Sequence, residues 1–200
     1  NLALGGELQK FRLGNEGDNG IEVNFAKTFE TNGIKWKVNY MPAKWGSGDI
    51  TTEQAYVEMS GFSFSPEAKF WAGQRRLRIQ DVHIVDYFLL NYGDNIGAGV
   101  TDIPVGGMKL GLGVFTGDKF DGNLPGDVKA HRFNADLSEI NTNPGGKLRV
   151  LLTAVGGKNQ VGGGSGSGIS FMHTQKEFLL PSITNTLFLQ TSRGHARIDG

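Results

Sequence analysis

Hydrophobic and polar residues alternate along two segments of the chain, and this alternation predicts β-strands. The apolar positions are Ile34, Trp36, Val38 and Tyr40 in the first segment, and Met108, Leu110, Leu112 and Val114 in the second. A period of two places successive side chains on opposite faces of a strand. The pattern therefore predicts strands with one apolar and one polar face, which occur both in membrane barrels and in soluble sandwiches.

Turn signals connect these segments into a meander of about ten strands. Asn32-Gly33 accepts positive φ angles, which predicts a hairpin between the strands 20–29 and 34–41. The run 143–146, Asn-Pro-Gly-Gly, predicts a second tight turn before the strand 147–155. No helix signal of useful length occurs, so the predicted fold class is all-β and antiparallel. The longest predicted loops are 41–52, 92–107, 117–129 and the glycine- and serine-rich stretch 156–168.

Composition narrows the class of protein. Glycine makes up 31 of the 200 residues, cysteine is absent and the formal net charge is zero, which gives no support to a disulfide framework or a nucleic-acid partner. A mean hydropathy of −0.27 is too polar for a helical membrane protein but suits a barrel whose strands face water on one side. No apolar run is long enough for a spanning helix, and residues 1–4 do not have the pattern of a signal peptide.

The segment 81–86 carries the densest set of chemically active side chains. In a strand, Asp81 and His83 share one face and Asp86 lies on the other, which separates the carboxylates and weakens a metal site. A polar wall of compensating charges is the alternative. The glycine-rich stretches near Gly97 and Gly163 lack the ending of a phosphate loop, and no nucleophile-elbow pattern occurs. We therefore expect no enzyme activity, no metal and no cofactor.

Trp45 lies in the predicted polar loop 41–52. Packing within the protein is the commoner role of a loop tryptophan. An exposed indole can instead stack on the apolar face of a sugar ring, through the same surface burial that makes aromatic side chains effective anchors. The residues alone leave both roles open.

Five segments, in order along the chain, resemble the maltoporin family of outer-membrane sugar porins. They are 10–16 (KFRLGNE), 71–75 (WAGQR), 81–86 (DVHIVD), 139–140 (EI) together with 143–148 (NPGGKL), and 173–175 (HTQ). The resemblance implies a transmembrane β-barrel of the bacterial outer membrane, in contact with lipid and assembled as a homotrimer. Family barrels have about eighteen strands, so residues 1–200 are expected to be a single β-barrel domain and a fragment of a longer porin. A genuinely small barrel of about ten strands is the rival interpretation.

The resemblance also implies passive, facilitated diffusion of sugars or small polar solutes along aromatic side chains and a polar track. Many weak sites suit such conduction better than one tight site. The residues that match the polar track by position are Arg12, Glu22, Asp81 and Asp86. The expected aromatic contacts are Phe88 and Trp45, the latter as a loop residue that reaches a neighbouring subunit.

Five positions depart from the family pattern. Gly20 and Thr184 stand where the family has slide aromatics, whereas Ile79, Phe88 and Asn91 replace a track arginine, a track tyrosine and an aspartate. These departures weaken the implication of maltodextrin specificity and leave sugar or small-solute permeation. A general diffusion porin is therefore one alternative, and a soluble β-sandwich that binds carbohydrate is another.

Overall fold

The computed structural model describes residues 20–82, 87–116, 129–158, 164–194 and 196. All the regular secondary structure in these residues is β-strand. The strands are β1 (Gly20–Glu22), β2 (Phe25–Thr31), β3 (Ile34–Trp45), β4 (Ile50–Ser60), β5 (Lys69–Val82), β6 (Tyr87–Val105), β7 (Met108–Thr116), β8 (Lys129–Asn143), β9 (Gly146–Lys158), β10 (Gly164–Lys176) and β11 (Thr184–Gly194). In these parts of the chain, no helix is long and apolar enough to cross a membrane.

The strands form one antiparallel sheet in which neighbours in sequence are neighbours in space. From β3 to β11 each strand pairs with the next, while β1 and β2 both lie along β3. The single strand expected over 20–29 is thus divided in two at residues 23–24. The all-β antiparallel meander predicted from the alternation is confirmed.

Both predicted tight turns are present. Asn32 and Gly33 have φ angles of 52° and 79°, and they connect the paired residues Thr31 and Ile34. This is the backbone that a two-residue hairpin requires, because both central residues need a positive φ. Gly145, with a φ of 79°, forms the turn between β8 and β9. The sequence signals at these two places therefore set where the strands reverse.

Three predicted loops are wrong in extent, because strands occupy most of their length. Strand β6 runs through 92–107 as far as Val105, and the strands around 156–168 continue to Lys158 and resume at Gly164. Strand β3 continues through 41–45, past Pro42, where its pairing with β4 shifts register. Proline lacks an amide donor and is tolerated in a strand at such an irregularity. Glycine, serine and proline in these segments were poor indicators of loops.

The two faces of the sheet differ sharply in exposure. On β3, Trp36, Val38 and Tyr40 are 42–46% exposed, whereas Asn39, Met41 and Ala43, which point to the opposite face, are buried. The same division continues across the sheet, where Val114, Phe133, Leu152, Phe171 and Leu189 are exposed. We call the face with these apolar side chains the exposed face, and the opposite one the buried face. The predicted two-sided alternation is confirmed.

The sheet curves towards its buried face. Cα atoms of β6 and β9, which are three strands apart, approach within 8 Å of each other, although a flat sheet would keep them about 14 Å apart. On the buried face, Trp71 of β5, Phe115 of β7 and Leu151 of β9 form a single apolar cluster. Side chains two and four strands apart meet in this way only when the sheet is strongly curved. Within the described part of the chain, the edge strands β1, β2 and β11 are paired on one side only.

Candidate functional site on the buried face

Two aromatic rings are in contact on the buried face, next to glycines of β6. The ring centroids of Trp71 and Phe115 are 5.2 Å apart, and the two side chains come from strands on either side of β6. Between them β6 carries Gly97 and Gly99. A Cβ at Gly99 would lie 2.9 Å from Trp71 Nε1, and one at Gly97 would lie 2.9 Å from Phe115 Cδ1. The absence of side chains at these two glycines therefore leaves space for the two aromatic rings.

An arginine extends the aromatic patch towards β4. The guanidinium carbon of Arg75 lies 4.6 Å from the ring centroid of Tyr56 and 5.4 Å from that of Trp71. Arg75 Nη1 is also 3.0 Å from Glu58 Oε2. A planar guanidinium stacks on rings while it binds a carboxylate. The two buried rings and the ion pair of Arg75 with Glu58 thus lie side by side on this face.

Strand β8 places a column of polar side chains on the same face. Arg132, Asn134 and Asp136 are all buried, at alternate positions of the strand. Arg132 Nη1 donates a hydrogen bond to Thr153 Oγ1 at 2.9 Å. Arg149 donates to both carboxylate oxygens of Asp136, with Nε 2.8 Å from Oδ1. The carboxylate of Asp136 is therefore paired with Arg149 of β9, and Arg132 is hydrogen-bonded to the hydroxyl of Thr153.

Glu22 belongs to a network of ion pairs that links three strands. Its Oε1 lies 2.6 Å from Nη1 of Arg76 on β5. The same guanidinium contacts the carboxylate of Glu53 on β4. In the ladder, Glu22 is opposite Ala43 of β3, which is 2% exposed. A carboxylate on the sheet edge thus reaches an arginine on β5, with the strands β3 and β4 between them.

Two further predicted track residues fall together in the ladder between β5 and β6. Asp81 and Phe88 are directly opposite partners. Arg12 and Asp86 lie outside the described residues, as does His83 of the metal alternative. Among the described residues, no group of three side chains could hold a metal ion.

Trp45 is not in a loop, contrary to the expectation. It is the last residue of β3, because β1 pairs with residues 43–45 and fixes them in the sheet. Its ladder partner is Gly20, and a Cβ at Gly20 would overlap the six-membered ring of the indole. The side chain is 51% exposed. The indole therefore covers Gly20 and leaves half of its own surface open.

Several residues of this face had no role in the sequence interpretation. In the sequence, Arg132, Asn134 and Asp136 alternate with apolar residues, as expected of a strand, but nothing in that alternation indicates the ion pair of Asp136 with Arg149. Arg75 entered the sequence analysis only as part of the segment 71–75 that resembles the family. Ile79, at the position of a family track arginine, packs against the cluster of Trp71, Phe115 and Leu151. Partners on other strands determine these roles, and local spacing does not encode them.

Comparison with known proteins gives two findings. The family model described as LamB porin matches residues 1–200. This chain is 38% identical over 109 residues to each of two maltoporins of Vibrio cholerae serotype O1. One is from strain ATCC 39315 / El Tor Inaba N16961 and the other from strain ATCC 39541 / Classical Ogawa 395 / O395. The matched stretch covers 50% of this chain and 26% of each relative. The chain is thus similar to a minor part of these longer proteins.

Proposed function

Because the chain belongs to the LamB porin family, a family of outer-membrane channel proteins rather than enzymes, we propose that it forms part of the wall of a sugar channel. The channel would carry sugars by facilitated diffusion across the bacterial outer membrane. The observation that carries this proposal is the division of the sheet into an apolar exposed face and a buried face rich in polar and aromatic groups. A transmembrane barrel needs this arrangement, because lipid surrounds it and water fills it.

Closure of the barrel is part of the proposal. A sheet edge in lipid leaves backbone groups without hydrogen-bond partners, which is costly. The edges at β1, β2 and β11 are paired on one side only in the described residues, and the relatives are longer than this chain. We infer that further strands of a longer porin close the barrel, which then assembles as a homotrimer like the family it resembles.

The buried face supplies both kinds of contact that a sugar pathway requires. Rings such as Trp45 offer apolar surfaces to the faces of sugar rings, and ion pairs such as Arg75 with Glu58 offer donors and acceptors to hydroxyls. Glu22 and Asp81, together with Arg12, Asp86 and Phe88, remain the predicted members of the track. Contacts of this kind are individually weak, which permits a solute to move from one to the next.

The packing of Ile79 bears on which sugars pass. Where the resemblance places a track arginine, this side chain joins the apolar cluster of Trp71, Phe115 and Leu151. Five hydrogen-bond donors of a guanidinium are thereby replaced by apolar surface. We infer that recognition at this point of the pathway depends on the faces of sugar rings more than on their hydroxyl groups.

Liposome swelling tests the proposed function. The whole porin that contains this chain is reconstituted into vesicles, and the rate of swelling is measured in maltotriose and in sucrose, with protein-free vesicles as the control. We expect protein-dependent entry of at least one of the two sugars. Vesicles that admit salt through the protein but neither sugar would contradict the proposal.

A further inference from the structure

A cavity opens on the exposed face where β2 lies along β3. Its volume is about 490 Å³, and its lining includes Phe25, Lys27, Phe29, Val38 and Tyr40. This volume lies within the range of about 300–1,000 Å³ that small-molecule sites occupy. The two phenylalanines, the valine and the tyrosine are 45–58% exposed, so a molecule beside the sheet can reach them. The exposed face therefore carries an accessible apolar site, separate from the pathway proposed for the buried face.

Lys27 places a positive charge in this apolar lining. It is an exposed residue of β2, with Phe25 and Phe29 at the neighbouring positions of the same face and Val38 directly opposite on β3. Among the residues that the structure describes, no carboxylate forms an ion pair with its ammonium group. Glu30 of the same strand points to the other face, because side chains alternate. An ammonium group on a lipid-facing surface is costly unless an anion accompanies it, so this site calls for an anionic ligand.

The lysine side chain is directed towards the short-turn end of the sheet. Its Nζ lies 5.1 Å from the ring centroid of Phe29, and Phe29 is nearer than Lys27 to the hairpin turn at Asn32-Gly33. Outer-membrane barrels have their short turns on the periplasmic side. Lysine side chains on lipid-facing surfaces extend in this way to hold the charge at the level of the headgroups. The cation thus lies on the periplasmic side of the cavity, and Phe25 and Tyr40 lie deeper in the membrane.

An anionic phospholipid has both features that this site requires. Its phosphate carries the charge that complements Lys27, and its acyl chains match the apolar lining. A second copy of the chain matches less well. Carboxylates such as Glu58 and Asp136 are paired with arginines on the buried face, whereas the exposed face presents apolar side chains such as Phe133 and Leu152. Charge complementarity therefore favours the lipid.

We propose that Lys27 and the adjacent cavity bind one anionic phospholipid of the periplasmic leaflet. The ammonium group of Lys27 contacts the lipid phosphate, and an acyl chain lies along Phe25, Val38 and Tyr40 towards the middle of the membrane. This inference rests on the proposed function, because it takes the exposed face to be in contact with lipid. It adds a specific ligand on the outside of the barrel, whereas the sugar pathway is inside.

Native mass spectrometry of the whole porin, released from detergent, measures the dissociation constant of the first bound lipid. The probes are dioleoyl phosphatidylglycerol, which is anionic, and dioleoyl phosphatidylcholine, which has the same acyl chains and no net charge. We expect the wild type to bind phosphatidylglycerol more tightly than phosphatidylcholine. In Lys27→Met the dissociation constant of phosphatidylglycerol should rise roughly fivefold, the contribution of one basic side chain near an anionic lipid, while that of phosphatidylcholine stays the same. Lys27→Arg should keep the preference.

Lys37→Met is the matched control. Lys37 is opposite Thr28 on the neighbouring strand, and it points to the buried face together with Asn39. This variant removes the same charge from the same part of the sheet but from the other face. It should bind phosphatidylglycerol like the wild type.

The outcomes separate the two proposals. Equal dissociation constants of phosphatidylglycerol for the wild type and Lys27→Met would overturn the lipid site, as would the same rise in Lys37→Met. A wild type without a preference for phosphatidylglycerol would also overturn it, and the face would then be covered by a second copy or by lipid of any charge. A porin that binds phosphatidylglycerol through Lys27 but admits neither sugar into vesicles would contradict the sugar channel alone.

Discussion

The indole of Trp45 lies against the backbone of Gly20, its partner across β1 and β3. A side chain at position 20 would occupy the same space as the ring. The resemblance to maltoporins implies an aromatic at position 20, and the structure shows a ring there that comes from the neighbouring strand. The departure at Gly20 thus does not remove an aromatic surface from this end of the sheet.

Moving the aromatic side chain from position 45 to position 20 tests this compensation. In Trp45→Ala the half-blocking concentration of maltotriose should rise roughly two- to tenfold, because an aromatic contact is worth about 0.5–1.5 kcal/mol. In the double variant Gly20→Tyr/Trp45→Ala the block should return towards the wild type. Single-channel recordings give both values. A double variant no better than Trp45→Ala would show that the ring at this place does not contact the sugar.

Gly99 should tolerate no side chain. In Gly99→Val the new Cβ would overlap the backbone oxygen of Leu112 and lie 2.9 Å from Trp71 Nε1, so strand β7 or the indole must move. Forced overpacking of this kind costs about 1–3 kcal/mol. Urea unfolding of the porin in lipid vesicles measures the loss. Gly156→Ala is the control, because a Cβ there has no heavy atom within 4 Å, and a similar loss at both sites would refute the packing argument.

Leu152 should face lipid. It lies at the middle of β9 and is 49% exposed. A lysine on the lipid face near the bilayer midplane costs about 2–4 kcal/mol, so Leu152→Lys should lower the free energy of unfolding in vesicles by that amount. Leu152→Met, which keeps an apolar side chain, should remain close to the wild type. If the lysine were tolerated without loss, the exposed face would be in contact with water, as in a soluble sandwich.

The pairing of Asp136 with Arg149 should influence ion selectivity. Asp136→Asn removes the carboxylate that compensates Arg149, which leaves a net positive charge on the buried face. The cation-to-anion permeability ratio should fall roughly two- to threefold, the scale of one partly screened charge. Reversal potentials in a potassium chloride gradient report the ratio. Asp49→Asn, at an exposed residue between β3 and β4, is the control, and equal ratios in wild type and Asp136→Asn would place Asp136 away from the pore.

Features with a local cause could be predicted from the sequence. The alternation at Trp36, Val38 and Tyr40 follows from the period of a strand, and the hairpin at Asn32-Gly33 follows from the positive φ of its two residues. Both are present as expected. The order of the strands follows from them, because consecutive hairpins can only produce an antiparallel meander.

Features that depend on another strand could not be predicted. Gly97 and Gly99 suggest a loop when read along the chain, yet they are strand residues that accommodate Trp71 and Phe115 from the two neighbouring strands. Trp45 suggests a loop because its pairing with Gly20 joins positions 25 residues apart. Likewise, the contact between Glu22 and Arg76 spans the positions of two intervening strands. Register decides each of these, and single-sequence patterns do not specify register.

We propose that the buried face of this sheet lines a pathway for sugars. The most direct measurement is the current through single channels of the whole porin in a planar bilayer as maltotriose is added to one side. We expect discrete, reversible interruptions of the current whose frequency rises with maltotriose concentration, since each bound sugar occludes the path of the ions. Open channels whose current shows no interruption at any maltotriose concentration would contradict it.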